Sequence, residues 1–289
     1  MERELWWQLY RRLLSLATPK PKRNIFSDVI IVAVYLWAVL HDRPVCWAVS
    51  DRSWGDIDRP FELPSQSTLS RRLRQESVRL LLNQVERTMA GNEQQQTLVK
   101  IVDSKPLPVG AYSRVKDARW GQGIKGLLKG YKLHAIYGAG SLPIAWEVVP
   151  MNASEQRVAK RLFTKLSGGG YVLADSVYDI NKLYDLAAQF NHQLLAKRKR
   201  PEAGLGERRH SVHRLRAVEM LEWETTGFGY ELYKMRTRIE RKFSLLTSFG
   251  GGLSPLPNWV RGLRRVRLWV QSKILIAALR APARKGLAA

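Results

Sequence analysis

From residue 97 onward the sequence changes its period, and that change decides what the chain can fold into. "TLVKIVDSKPLPV" alternates and is rich in β-branched residues, the pattern of a strand, closed by its prolines. "GYKLHAIYGAGSLPIAWEVVP" reads as two strands joined by the Gly-rich turn "GAGS". "SEQRVAKRLFTKL" reads as a helix closed by "SGGG", "YVLADSV" as a short buried strand, "INKLYDLAAQF" as a helix and "QLLAK" as a strand. This order predicts an α/β layer architecture around a mixed five-stranded sheet. A long basic stretch with room for one short helix, "RLRAVEMLEW", then leads to the helix "YKMRTRIERKF". The tail "VRLWVQSKILIAALR" reads as an amphipathic helix.

The first ninety or so residues read as helical throughout. Ser27 is placed to cap a helix that runs to about His41. Its apolar run, Val29–Leu40, is far shorter than the roughly 20 residues a membrane span needs, so it predicts the core of a small helical domain. "RPVCWAVSD" is a second short helix and "WGDIDRPFELP" a turn-rich connection. In "SQSTLSRRLRQESVRLLLNQVERTM", Ser65 is the expected N-cap. Leu69, Leu73, Leu80 and Leu81 form the inward stripe, and Arg71, Arg72 and Arg74 face outward. A short helix, a turn and a basic helix opening on small polar residues is a helix-turn-helix-like pattern, whose second helix enters a DNA major groove. An ordinary surface helix with a solvated basic face fits the same letters. "AGNEQQQ" is unpatterned and polar, a linker, which gives a helical domain over 1–92 and an α/β domain over 97–282.

Charge narrows the partners. Lys and Arg number 48 against 25 Asp and Glu, a net charge of +23. Such a surplus implies a polyanion, with nucleic acid ahead of an anionic membrane. "MERELWWQLYRRLL" lacks the layout of a signal peptide, and Cys46 is alone, so no internal disulfide forms and a reducing cytoplasm is expected. His210 and His213 have no cysteine cluster beside them and read as an ordinary pair. From Arg241 to the end there are ten basic residues and no acid, so the tail is also expected to meet phosphate.

Against this background the positions of the acids carry information. Asp103 lies inside the apolar strand "IVDS", and Asp175 ends the strand "VLADS". A buried carboxylate needs a partner, which is a metal ion, an arginine or backbone amides. Each alone also fits a residue that caps the next turn. Together they fall on strands expected side by side, and Glu240 on the later helix completes a three-acid pocket. Like charges so close repel unless a cation lies between them, and hard oxygen ligands select Mg²⁺ or Mn²⁺. Two such ions suit in-line displacement at phosphorus. Glu240 has a simpler reading as well, an i,i+4 ion pair with Arg236.

"IVDS", "LADS" 72 residues later and a helical Glu 65 residues beyond that (175 − 103 and 240 − 175) resemble the DDE transposases of bacterial insertion sequences. "KGYKLHAIYG" and "LPIAWEVVPMNASEQRVAKRLF" resemble that family's second and third strands and first helix, and the likeness spans about residues 97–282. A subset of the family carries Tyr, Arg, Glu and Lys on one helix; Tyr233, Arg236 and Glu240 match its spacing, while Thr247 stands at the Lys position. The resemblance implies a ribonuclease H-like catalytic domain. It implies Asp103, Asp175 and Glu240 as catalytic metal ligands, with two Mg²⁺ or Mn²⁺ as cofactors. It implies DNA cleavage and strand transfer on double-stranded transposon ends and target, a homodimer in the joined complex, and a place on the bacterial nucleoid. Tyr233, Arg236, Lys132, Lys105, Arg71, Arg72, Lys197 and Arg198 are the candidate DNA contacts. A transposase-derived DNA-binding protein without catalysis, and a ribonuclease H-like nuclease, are the competing readings.

Overall fold

The computed structural model describes residues 1–17, 25–90, 97–123, 126–206, 209–223, 227–247 and 253–280. The expected linker at 91–96 lies outside them. No helix among the described residues is long and apolar enough to cross a membrane. The chain forms two compact units. One collects described residues within 1–91, 246–253 and 257–289; the other, within 92–245 and 254–256.

The first unit is helical: α1 (Glu2–Ser15), α2 (Asp28–Leu40), α3 (Val45–Ala48), α4 (Gln66–Arg72), α5 (Glu76–Ala90) and α11 (Leu263–Arg280). Ser27 and Ser65 cap α2 and α4 as expected, accepting from the backbone N–H groups of Ile30 and Thr68. Helix α2 is buried from Val29 to Leu40 except at Ile30, so it forms the centre of this unit. Three expectations change here. The basic helix after Ser65 is broken at residues 73–75 into α4 and α5, and its buried face is Val78, Leu81, Leu82 and Val85, with Leu80 exposed. Helix α11, expected in the 97–282 domain, packs instead with α1, α2 and α5. It is buried from Trp269 to Ile276 rather than amphipathic, and Gln271 and Lys273 are tolerated there because they bond to Asn83 and Glu86, and to Asp42.

The second unit is built on a sheet of six strands: β1 (Val99–Pro108), β2 (Arg119–Gly123), β3 (Gly126–Tyr137), β4 (Pro143–Pro150), β5 (Gly170–Ala174) and β6 (His192–Ala196). β1, β3 and β4 are antiparallel neighbours; β1, β5 and β6 are parallel. β2, which the sequence pattern did not disclose, hairpins onto the first residues of β3. Without it the spatial order is third, second, first, fourth, fifth strand, the ribonuclease H-like fold. β1 does not stop at its prolines. Its pairing with β5 spans only Val99–Ile101, so Pro106 and Pro108 sit where one edge has no β5 partner and a missing N–H is tolerated. β5 can start where it does because of Gly170, at φ +111°, where a Cβ would lie 2.1 Å from the Leu98 carbonyl.

The helices of this unit are α6 (Glu155–Phe163), α7 (Asn181–Gln189), α8 (Val212–Val218), α9 (Phe228–Lys234) and α10 (Arg238–Thr247). Helices α9 and α10 are not one continuous helix: a 3₁₀ turn, Met235–Thr237, separates them.

Candidate active site

β1 and β5 run parallel with Ile101 opposite Leu173. Asp103 and Asp175 each lie two residues further on, so the register brings both acids to the same level where the two strands part. A crevice outside the carboxyl ends of parallel strands, at a point where the strand order reverses, is where open α/β sheets bind ligands.

Each carboxylate is held by one oxygen. Asp103 Oδ1 accepts the Ser104 N–H at 2.7 Å, and Asp175 Oδ1 accepts the Val177 N–H at 3.0 Å as it caps the 3₁₀ turn Ser176–Tyr178. Asp175 is therefore a turn cap and a site acid at once. Among the described residues the nearest cation to Asp103 is Arg236, loose at 4.0 Å from Oδ2. Burial pushes the Asp103 carboxyl up to about 6, with the Asp175 charge adding to the rise and Ser104 and Arg236 opposing it. Burial also raises Asp175, with Glu155 adding to it and Arg236 and Lys199 opposing. Burial, more than any neighbour, disfavours the charged form of both acids, and a bound cation would offset that cost.

Tyr233 donates its hydroxyl to the Ala174 carbonyl at 2.8 Å, tying α9 to the residue before Asp175. Lys197 is exposed and its Nζ stands 5.4 Å from the centre of the Tyr233 ring. Lys105 follows Asp103 on the same face of β1, and partial burial lowers its ammonium.

Glu240 is exposed on α10. It lies one turn after Arg236, which faces Asp103, and one turn before Phe243, whose ring meets Tyr137 at 6.1 Å. Tyr137 on β3 pairs with Ile101 on β1, so these contacts bring the turn before α10, through Arg236, and α10 itself, through Phe243, to the β1–β3 part of the sheet. The three acids do not converge: among the described residues no three Asp, Glu, His or Cys side chains are grouped closely enough to hold an ion. Lys242 bonds to the carbonyls of Ala139 and Gly140 in the β3–β4 turn, so it does not stand in for the Lys absent at Thr247.

A family model described as "Transposase DDE domain" matches residues 94–277, well over half of the chain. The chain belongs to the DDE transposase family. Members normally use divalent metal ions, and membership implies a DNA substrate. No curated protein matches the chain.

Three of the DNA contacts expected of this DDE transposase are committed elsewhere. Arg72, expected outward, is only 4% exposed: it pairs with Asp28 at 2.6 Å and donates to the Phe26 carbonyl. Arg198 bonds Glu222 and the carbonyls of Pro201 and Ala203, which folds the basic run back on itself. Lys132 is buried and paired with Glu155 at 2.6 Å. Arg71 and Lys197 remain exposed. Glu155, which acts on Asp175, escaped the sequence reading. The available signal for Glu155 was its scarcity value: an acid just after the cap Ser154, in a chain short of acids.

Proposed function

We propose that this protein is the transposase of an insertion sequence: it binds the element's terminal repeats, cuts the DNA at its ends and joins them to a target. The observation that carries this reading is the pair Asp103 and Asp175, level on adjacent parallel strands and raised by burial, in a chain of the DDE family. The free oxygens of these aspartates fit a hard divalent cation. Glu240 on α10 stands as third ligand on the family resemblance alone, since it is not grouped with the pair in this structure. Bound Mg²⁺ or Mn²⁺, two ions in this reading, supplies Lewis-acid activation of the attacking oxygen and stabilises the leaving oxygen.

The chain's own residues do the rest. Ser104 and Val177 amides orient the two carboxylates. Tyr233 fixes α9, and with it Arg236, against the end of β5. Arg236, Lys105 and Lys197 present positive charge to the phosphate backbone around the acids. The helical unit, with Arg71 and Arg74 exposed, reads the terminal repeats. Phosphate contacts dominate, so binding falls steeply with salt. A homodimer holds two ends together, and the protein acts on nucleoid DNA.

The test uses a plasmid carrying the sequences that flank the gene. With Mg²⁺ present, Asp175→Asn is expected to abolish cleavage while end binding in a mobility-shift assay stays within about twofold of wild type. Full cleavage by that variant rules out the site. A second reading, a DNA-binding relative without cleavage, draws on Thr247 at the Lys position and the exposed Glu240; end binding with no cleavage by the wild-type protein under both Mg²⁺ and Mn²⁺ supports it.

A further inference from the structure

Beside the two aspartates lies a polar layer that the proposed chemistry does not yet use. Glu155, at the start of α6, receives Lys132 Nζ at 2.6 Å and Ser104 Oγ at 3.2 Å. Both bonds fall on Oε1, and among the described residues Oε2 accepts none. Ser104 is the residue whose amide holds Asp103, so Glu155 and Asp103 share a support. On the other flank, Gln156 donates to the Val177 carbonyl at 3.2 Å and ties the start of α6 to the turn that Asp175 caps. That turn contains Tyr178, which is 0% exposed and whose hydroxyl has no hydrogen-bond partner among the described residues. The charges that bear on this hydroxyl are Glu155, Asp103 and Asp175, in that order. A buried hydroxyl without a partner is costly and calls for an explanation, and the charges acting on this one are those of three carboxylates.

We propose that Glu155 is a positioning residue for the Asp103–Asp175 pair: fixed by Lys132 and Ser104, its free oxygen and the Tyr178 hydroxyl hold the hydration shell of a divalent cation bound by the two aspartates. This rests on the reading of those aspartates as metal ligands. It gives Lys132 a role quite different from phosphate contact, since its ammonium fixes the carboxylate that orders the shell. A simpler role for Glu155, neutralising a buried lysine, accounts for Oε1 but leaves Oε2 and the Tyr178 hydroxyl without a purpose.

Mn²⁺ binding to the full chain without DNA, followed by the electron paramagnetic resonance of the free ion, tests this apart from activity. Asp103→Asn is expected to abolish tight binding. Glu155→Gln is expected to weaken it about 10-fold, the lower end for partners that orient metal ligands. Tyr178→Phe, which removes only the unpartnered hydroxyl, is expected to weaken it about threefold at an unchanged or higher melting temperature, the size of one modest hydrogen bond. Should Glu155→Gln alone fail to fold, Lys132→Met combined with Glu155→Gln removes the ion pair whole. A positioning role predicts the same 10-fold loss in that double variant; a role in neutralising Lys132 predicts wild-type Mn²⁺ affinity and overturns the inference. Wild-type affinity in both the Tyr178 and Glu155 variants overturns it as well, while a loss in Asp103→Asn leaves the aspartate reading standing. Wild-type affinity in Asp103→Asn removes both.

Discussion

Two regions of the molecule bury charge in opposite ways. In the helical unit opposite charges meet at close range: Arg72 with Asp28 at 2.6 Å and Lys273 with Asp42 at 2.5 Å. At the parting of β1 and β5 like charges meet instead, and among the described residues the nearest cation to Asp103 is 4.0 Å away. The first arrangement satisfies itself and holds a fold. The second is satisfied only by something that arrives, and strongly perturbed carboxylates gathered at a crevice are a mark of function. The sign of the neighbour, rather than burial alone, separates a structural carboxylate from a working one.

The largest effect is expected where the closed pair is broken. Asp28→Ala strands the Arg72 guanidinium and should cost about 3 kcal/mol in urea unfolding, the lower end for a broken buried pair, because Asp28 keeps 20% of its side-chain surface. A loss below about 1 kcal/mol would remove the contrast between the two arrangements.

Asp103→Asn should act in the opposite direction. The folded protein holds the Asp103 proton up to about 6 from an ordinary 3.8, so it binds more protons than the unfolded chain between those values. Wild-type stability therefore falls as pH rises through that window. The amide has no such penalty: in metal-free buffer the variant should gain about 2 kcal/mol on wild type between pH 4 and pH 7, a figure discounted for partial exposure. Urea midpoints at the two pH values check it, and a difference independent of pH contradicts it.

The smallest effect is expected at Arg71, beside Arg72 in sequence but exposed. Arg71→Ala should leave stability within about 0.5 kcal/mol and lower the salt dependence of DNA binding by about one unit of slope. An unchanged slope would place the DNA-reading surface elsewhere.

The order of strands and helices was legible in the sequence, because alternation and Gly-rich turns are local signals, and with it the expectation that Asp103 and Asp175 lie on adjacent strands; their register was not. So were the caps at Ser27 and Ser65. The fate of Arg72 was not: its partner lies 44 residues earlier, and helical periodicity assigns a face without saying what covers it. Strand β2 was hidden because "RWGQG" has neither alternation nor branched residues. The break at Met235–Thr237 was hidden because none of its residues is a helix breaker. Glu155 stayed unseen for another reason: its importance comes from Lys132 and Tyr178, which approach it from different elements.

The placement of α11 has a consequence for how the protein is made. Trp269, Val270, Ile274 and Leu275, all buried among the N-terminal helices, are synthesised after every strand of the sheet. The sheet has all its strands by Ala196, and Glu240 follows well before α11 emerges. Domains usually complete in order from the N-terminus during synthesis. Here the helical unit is completed only after the sheet: α1 to α5 wait, with the α11-facing side of their core open, until α11 has emerged.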